Sequence, residues 1–183
     1  MTKQFLNLGK QPIANGFLYK EEISNEFFFN LKVGFDKKTK LVTHMEYVDP
    51  PLMFNDNYSY RGSMSQTMRE HFKNLSINLQ IYGDDILEIG SNDGVFLKHW
   101  NKEKAVSVEP CSNFAKETQN MGYNTYSEFW TTKLSKTIEK THGKRDIVFA
   151  ANCICHIPDL DDTFKAVESI LKDKGVFIFE DPS

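Results

Sequence analysis

The residues best suited to chemistry form the segment Glu88-Ile89-Gly90-Ser91-Asn92-Asp93-Gly94, which ends a short apolar run. Gly90 and Gly94 allow a tight turn and a close approach of backbone to a ligand, and Asn92 is a residue type that tolerates positive φ. A dinucleotide fingerprint G-x-G-x-x-G would place its last glycine at position 95, which is valine. The G-x-G-x-G spacing of S-adenosylmethionine sites uses positions 90, 92 and 94, with Asn92 replacing one glycine. The spacing therefore favours S-adenosylmethionine over NAD.

An acidic residue at the end of the next apolar run strengthens this signal. Glu109 lies about 20 residues after Gly90, where an acidic side chain can accept hydrogen bonds from both ribose hydroxyls of a nucleoside. An NAD site would also carry an acid here, so Glu109 supports a nucleoside ligand without choosing between the cofactors. A glycine-rich turn alone fits a plain strand-to-helix connection as well as it fits a ligand site. Glu109 favours the ligand site.

A third polar segment, residues 152–160, follows another apolar run and contains Asn152 and His156. If that run is a strand of the same sheet, both side chains can reach a substrate or cofactor at its carboxyl end. His156 could act as a general acid or base, because the ordinary pKa of histidine lies near neutrality. It could equally cap the local turn before Pro158, and the sequence leaves both readings open.

Alternating elements in residues 81–183 must position these three segments. Short apolar runs predict five strands, at 85–90, 105–109, 124–129, 146–152 and 176–180. Helical patterns lie between them, at 94–100, 112–121, 134–141 and 161–172, the last closed by Gly175. This alternation predicts an α/β fold with a parallel sheet covered by helices on both faces. The carboxyl ends of its strands would form the ligand crevice.

Residues 1–80 have a different texture, rich in aromatic residues, asparagine and turn signals. Residues 27–33 and 41–48 predict a hairpin around the polar turn 36–39. Apolar residues at helical spacing predict an amphipathic helix over 64–80, capped near Ser63; they are Met64, Met68, Phe72, Leu75 and Leu79. We therefore expect a small β-rich and helical N-terminal module, residues 1–80, before a Rossmann-like domain, residues 81–183.

Composition argues against several other classes of protein. The chain has 183 residues, 40% hydrophobic and 26% charged, as in an ordinary soluble domain. Its formal net charge of −3 argues against nucleic acid or an anionic membrane as partner. The apolar runs are strand-sized and the start shows no apolar secretory segment, so we expect no membrane span and a cytoplasmic location. The three cysteines, Cys111, Cys153 and Cys155, lack the spacing of metal ligands.

Five motifs, in order along the chain, resemble the S-adenosylmethionine-dependent C-methyltransferases of nucleotide-linked deoxysugars, a class I methyltransferase family. They are Leu8-Gly9-x-x-Pro12-Ile13-Ala14-Asn15, Tyr58-x-Tyr60-x-x-Ser63-x-Ser65, the segment 88–94, Val108-Glu109-Pro110-x-x-Asn113 and His156-x-Pro158-Asp159-Leu160. Gly-Ser-Asn-Asp-Gly followed by Glu-Pro-x-x-Asn is far more specific than a generic methyltransferase loop. The resemblance implies a Rossmann-like sheet that binds S-adenosylmethionine.

The resemblance also implies roles for individual residues. Segment 88–94 would line the methionine and ribose portion of the cofactor, Phe129 would border adenine, and Asn152 would lie under the cofactor. The loop from Tyr58 to Ser65 would fold over the cofactor and substrate. The implied cofactor-binding set is Glu88, Gly90, Ser91, Asn92, Asp93, Gly94, Glu109, Pro110, Asn113, Phe129, Asn152, Ser63 and Ser65. In such enzymes a base removes the proton next to a sugar ketone, and the enolate attacks the sulfonium methyl group. His156, Tyr60 and Tyr58 are the implied catalytic residues.

Two departures from the family shape the expectation. The family begins with a zinc module of paired Cys-x-x-Cys motifs, and this chain has Asp36-Lys37-Lys38-Thr39 where the second pair would fall. Aspartate and threonine cannot replace two thiolates in a tetrahedral sulfur site, so we expect no structural zinc. After the fifth strand, family members continue with a Tyr-x-Glu-His catalytic motif, two more strands and a substrate domain. We therefore expect a truncated sheet of about five strands and the cofactor-binding portion of an enzyme.

Three functions remain open at this point. The first is methyl transfer to a carbon of a nucleotide-linked ketodeoxysugar. The second is a catalytically inactive or partial S-adenosylmethionine-binding module that needs a partner chain. The third, an NAD-dependent oxidoreductase, is disfavoured by Val95. An exposed edge on the fifth strand would also favour a homodimer.

Overall fold

An antiparallel sheet of three strands organises the first of the two units into which the chain divides, Met1–Ser59 and Tyr60–Ser183. The computed structural model describes residues 2–181. The strands are β1 (Thr2–Pro12), β2 (Phe28–Asp36) and β3 (Val42–His44), followed by the short helix α1 (Pro50–Met53). β2 pairs with both neighbours, so the predicted hairpin is present. β1 escaped prediction because its apolar residues do not alternate regularly, and its pairing with β2 is interrupted by two register shifts.

The carboxylate of Asp36 holds the turn between β2 and β3. Its Oδ1 accepts hydrogen bonds from the backbone N–H of Thr39 (3.0 Å) and of Lys38 (2.8 Å), and its Oδ2 accepts one from the Thr2 hydroxyl (3.0 Å). These bonds, that from Thr39 first, hold the pKa of Asp36 far below its ordinary value. One carboxylate therefore organises the turn 36–39 and ties it to β1.

Five parallel strands form the sheet of the second unit, in the order β6-β5-β4-β7-β8. They are β4 (Ile86–Ile89), β5 (Ala105–Val108), β6 (Asn124–Tyr126), β7 (Arg145–Ala151) and β8 (Leu171–Glu180). The strand order reverses between β4 and β7, and an open α/β sheet binds its ligand outside the carboxyl ends of the strands at such a point. The predicted fold class, a Rossmann-like parallel sheet after a β-rich module, is confirmed.

Helices pack on both faces of this sheet. They are α2 (Gln66–Leu79), α3 (Ser112–Asn120), α4 (Thr132–His142) and α5 (Leu160–Ile170). One core cluster contains Phe72 of α2 with Phe96 and Phe149, and the other contains Ile138 of α4 with Ile170 of α5. Because β4 contributes to both clusters, it is fixed from two sides, and so is the loop that leaves its carboxyl end.

The helix predicted over 64–80 exists, but its first turn differs. Ser65, not Ser63, is the N-cap, and its hydroxyl accepts a hydrogen bond from the backbone N–H of Met68 (3.3 Å). Met64 lies before the helix and is exposed. Helix α2 belongs to the second unit, whereas the domain boundary near residue 80 stays a prediction.

Two further predictions of local structure were wrong. Residues 94–100 form turns with a single 3-10 turn, Leu97–His99, instead of an α-helix, because Gly94 is left-handed and Val95, Phe96 and Leu97 are all buried. Gly175 lies within β8 instead of closing α5. A Cβ at Gly175 would stand 2.9 Å from the carbonyl oxygen of Arg145, so glycine there permits close backbone approach. Within residues 2–181, no helix is both long and apolar enough to cross a membrane.

Candidate functional site

The loop at residues 90–94 leaves the carboxyl end of β4 with three residues at positive φ. Gly90 has φ 72°, Asn92 has φ 49° and Gly94 has φ 73°. A Cβ at Gly90 would lie 3.0 Å from the Cβ of Cys153, and one at Gly94 would lie 3.0 Å from Cγ2 of Thr118. The two glycines that the sequence singled out are therefore required by both conformation and space.

Replacing Gly90 with alanine is expected to destabilise the protein by about 2–4 kcal/mol. Roughly 1–2 kcal/mol comes from the left-handed backbone and a comparable amount from crowding against Cys153. Urea unfolding followed by circular dichroism measures the loss.

Gly143→Ala shows the effect of backbone strain alone. Gly143 has positive φ (76°) with ψ −177°, a backbone region open essentially to glycine alone, and the nearest atom to an added Cβ is 3.9 Å away, so a loss from backbone strain without crowding is expected there. A loss in Gly90→Ala no larger than the roughly 1–2 kcal/mol of its left-handed backbone would show that Cys153 imposes no steric limit on the loop.

Three carboxylates are buried around the loop. Glu88 is 4% exposed, Asp93 6% and Glu109 4%. Within the part of the chain that the structure describes, the buried Oε2 of Glu88 has no hydrogen-bond partner. Burial raises the pKa of Glu88 well above its ordinary value, and the charges of Glu109 and Asp93 raise it further. This acid cluster is suited to a ligand that carries positive charge.

Glu109 follows β5 and holds two parts of the site together. Its Oε2 accepts a hydrogen bond from the backbone N–H of Asn92 (2.7 Å), and its Oε1 accepts one from that of Cys111 (2.8 Å), just before α3. Burial raises the pKa of Glu109, and these two hydrogen bonds oppose the rise. The Cys111 thiol also hydrogen-bonds to this carboxylate. A thiol is a weak donor, so the hydroxyl groups of a ligand can compete for the remaining lone pairs.

A segment that we call the strap, residues 60–63, lies against the loop. The side chain of Asn92 donates from Nδ2 to the carbonyl oxygen of Tyr60 (2.9 Å) and accepts at Oδ1 from the backbone N–H of Gly62 (3.0 Å). The carboxylate of Asp93 accepts from the backbone N–H of Ser63 (3.1 Å to Oδ2). The strap therefore meets the loop directly. That it also folds over a cofactor stays a prediction.

The remaining predicted cofactor residues occupy varied surroundings. Ser91 is buried and accepts a hydrogen bond from the hydroxyl of Ser107 (2.5 Å). Ser65 caps α2, as described above, and Phe129 follows β6 with 38% of its surface exposed. Pro110 and Asn113 lie beside Glu109 at the start of α3 and are half-buried.

The candidate catalytic residues fall in both units. His156 is exposed at the end of the 3-10 turn Ile154–His156, and Tyr60 of the strap is exposed as well. Asn152 has φ 53° and donates its backbone N–H to the carbonyl oxygen of Glu180 (2.7 Å), which fixes the turn after β7. Tyr58 belongs to the first unit, where its ring centroid lies 5.4 Å from that of Phe54.

Sequence reasoning missed three residues that shape the site. Cys153 lies under Gly90, and its thiol donates to the carbonyl oxygen of Ile89 (3.3 Å). Arg61 of the strap pairs with Glu117 of α3 through two hydrogen bonds of 2.8 and 2.6 Å. These contacts join residues more than 50 positions apart, and no local pattern announces them.

Comparison with known proteins gives matches for both units. A family model described as "Methyltransferase domain" matches residues 60–183, and one described as "Putative zinc binding domain" matches residues 1–54. The C-methyltransferase NovU of Streptomyces niveus is 27% identical over 186 residues, which cover 97% of this chain and 44% of that protein. The chain thus spans less than half the length of this curated relative.

The solved structures that match this chain are more distant in sequence. An S-adenosylmethionine-dependent methyltransferase from Clostridium acetobutylicum ATCC 824 is 20% identical with a TM-score of 0.45, covering 61% of this chain and 49% of that one. The plantazolicin methyltransferase BamL, in complex with a triazolic desmethylPZN analog and SAH, is 14% identical with a TM-score of 0.47, covering 61% and 46%.

The residues matched by the zinc-binding description do not offer a zinc site. All three cysteines lie in residues 111–155, outside that match. Over residues 2–181, no group of three His, Cys, Asp or Glu side chains could hold a metal ion. The Asp36 carboxylate is already engaged by the turn 36–39 and by Thr2. The described residues therefore do not fit structural zinc, and its absence stays a prediction.

Proposed function

This chain belongs to the S-adenosylmethionine-dependent class I methyltransferases, and from that premise we propose that its second unit binds S-adenosylmethionine for methyl transfer to a carbon of a nucleotide-linked ketodeoxysugar. The observation that carries the cofactor assignment is the acid cluster of Glu88, Asp93 and Glu109, with its unpartnered carboxylate oxygen. The class of substrate is supported by the motifs of the sequence and by the similarity to NovU, whose name describes a C-methyltransferase.

The charge of the ligand separates the two candidate cofactors. S-adenosylmethionine carries a sulfonium and an ammonium group against one carboxylate, so it is cationic. NAD carries a pyrophosphate, and three buried carboxylates would repel it. Dinucleotide sites also place the pyrophosphate at a helix N-terminus, whereas the residues after this loop form only turns. Both features favour S-adenosylmethionine.

The residues of the second unit suit the parts of this cofactor. Glu109 can accept hydrogen bonds from the ribose hydroxyls, and Phe129 can cover the adenine ring. Glu88 and Asp93 can stabilise the positive charge of the cofactor. When bound, S-adenosylmethionine supplies a methyl group activated by the sulfonium. His156 and Tyr60 are proposed to move the proton next to the sugar ketone, with Tyr58 as a further candidate, and His156→Ala at full rate would remove His156 from that role.

Calorimetric titration tests the cofactor assignment. We expect S-adenosylmethionine to bind with a micromolar dissociation constant, on the order of −8 kcal/mol. NADH, followed by its fluorescence, should show no saturable binding. A folded protein that ignores S-adenosylmethionine, or that binds NADH equally well, would refute the proposal.

Methyl transfer is tested by incubating the protein with methyl-labelled cofactor and a panel of nucleotide-linked ketosugars. Label in the sugar supports an enzyme. The acid cluster explains cofactor binding alone, so a binding module that works with a partner chain is a second candidate function, and binding without transfer would favour it.

The proposal also includes a cytoplasmic location and a homodimer. β8 forms one edge of the sheet among the described strands, which supports association of two copies there.

A further inference from the structure

We propose that Asn92 is a positioning residue that fastens the strap, residues 60–63, onto the loop and so slows release of the cofactor. The second half of this inference rests on the proposed function. Asn92 occupies the place of the middle glycine in a G-x-G-x-G loop. Its side chain is used in the structure for strap contacts.

The amide side chain of Asn92 makes two hydrogen bonds to the strap. Its Nδ2 donates to the carbonyl oxygen of Tyr60 and its Oδ1 accepts from the backbone N–H of Gly62, two residues further on. The backbone N–H of the same asparagine donates to Glu109. Asn92 therefore links the strap to the carboxylate that is the candidate ribose ligand.

Asparagine combines two properties that this position needs. It tolerates the left-handed backbone (φ 49°), as glycine does, and it carries both a donor and an acceptor, which glycine lacks. Aspartate would keep the acceptor for Gly62 and lose the donor to Tyr60. The residue that departs from the glycine pattern is thus the one that can reach the strap.

Further contacts also hold the strap, and they do not involve Asn92. Arg61 and Glu117 have side chains 40% and 36% exposed, so their ion pair contributes on the order of 1 kcal/mol or less. The guanidinium also lies 4.9 Å from the ring centroid of Phe114. Ser63 adds one backbone N–H to Asp93, at 3.1 and 3.3 Å to its two oxygens. Asn92 is hydrogen-bonded to the centre of the strap, where Gly62 is buried.

Hydrogen exchange measured by mass spectrometry tests the fastening without cofactor. In Asn92→Gly, which keeps the backbone conformation accessible, we expect exchange in peptides that cover residues 60–65 to rise about tenfold. Asn92→Asp should give a rise at least as large, because its second carboxylate oxygen would face the carbonyl oxygen of Tyr60. The matched control is Asn15→Gly, another left-handed asparagine (φ 63°) in the first unit, and it should leave strap exchange unchanged.

Stopped-flow binding tests the consequence for the cofactor. We expect the dissociation rate of S-adenosylmethionine from Asn92→Gly to rise about tenfold with little change in the association rate. If hydrogen exchange in the strap is unchanged in Asn92→Gly, Asn92 does not hold the strap on the loop. If exchange is faster but the dissociation rate of the cofactor is unchanged, holding the strap does not slow release of the cofactor. If the wild-type protein does not bind the cofactor, the proposed function fails, while the exchange result still decides the fastening. Should Asn92→Gly unfold, Asn92→Asp carries the same comparison.

Discussion

Glu109→Ala is expected to weaken S-adenosylmethionine binding by at least about a hundredfold. The variant would lose the two charge-assisted hydrogen bonds that the carboxylate accepts from the ribose hydroxyls, each worth roughly 1.5–3 kcal/mol. The variant also loses the acceptor that holds the backbone N–H groups of Asn92 and Cys111, so the loop and the start of α3 would no longer be tied together. Calorimetric titration of the two proteins measures the difference in affinity.

Two further variants, together with a measurement of stability, separate ligand contact from loop support. Glu103→Ala removes an exposed glutamate of the same unit and should leave the affinity unchanged. Glu109→Gln keeps one oxygen, but its NH₂ group would face a backbone N–H donor, so a loss nearly as large is expected. Urea unfolding of all three variants shows whether lower affinity follows lower stability. An affinity of Glu109→Ala within about threefold of wild type would remove Glu109 from the cofactor site.

The parallel sheet could be predicted from the sequence because its three central strands, β5, β4 and β7, are short runs buried on both faces. Ile86, Leu87 and Ile89 of β4 are apolar and adjacent, as a central strand requires, and Glu109 marks the end of β5. β1 could not be predicted, because it is largely exposed and its apolar residues show no regular alternation. The failure at residues 94–100 has the opposite cause: side chains buried in succession satisfy a core without any helix.

The candidate site was predictable only in its local part. Positive φ at Gly90, Asn92 and Gly94 follows from residue types that permit it, and all three have that conformation. The contacts of Asn92 with the strap, and of Gly90 with Cys153, depend on tertiary packing between distant segments. Periodicity and spacing describe neighbours along the chain, so they do not indicate which distant residue will contact the loop.

Glu88→Gln is expected to have opposite effects on stability and on cofactor affinity. In wild type, burial and the charges of Glu109 and Asp93 raise the pKa of Glu88 well above its ordinary value. The folded state therefore binds more protons than the unfolded state between the ordinary and the raised pKa, and stability falls as pH rises through that window. Glutamine keeps the shape and removes the charge, so the variant should be more stable at high pH by about 1–3 kcal/mol and lose this pH dependence.

The same substitution removes a carboxylate that would face the positive charge of the cofactor, so affinity for S-adenosylmethionine should fall about tenfold or more. Urea unfolding from about pH 5.5 to about pH 8.5, with and without cofactor, measures both effects. In wild type, bound cofactor should reduce the loss of stability with pH, because it pairs the ionised form of Glu88. Glu103→Gln, on the exposed surface, should change neither quantity. If Glu88→Gln binds the cofactor as tightly as wild type does, the buried carboxylate of Glu88 is a cost of the fold and has no part in recognising a cation.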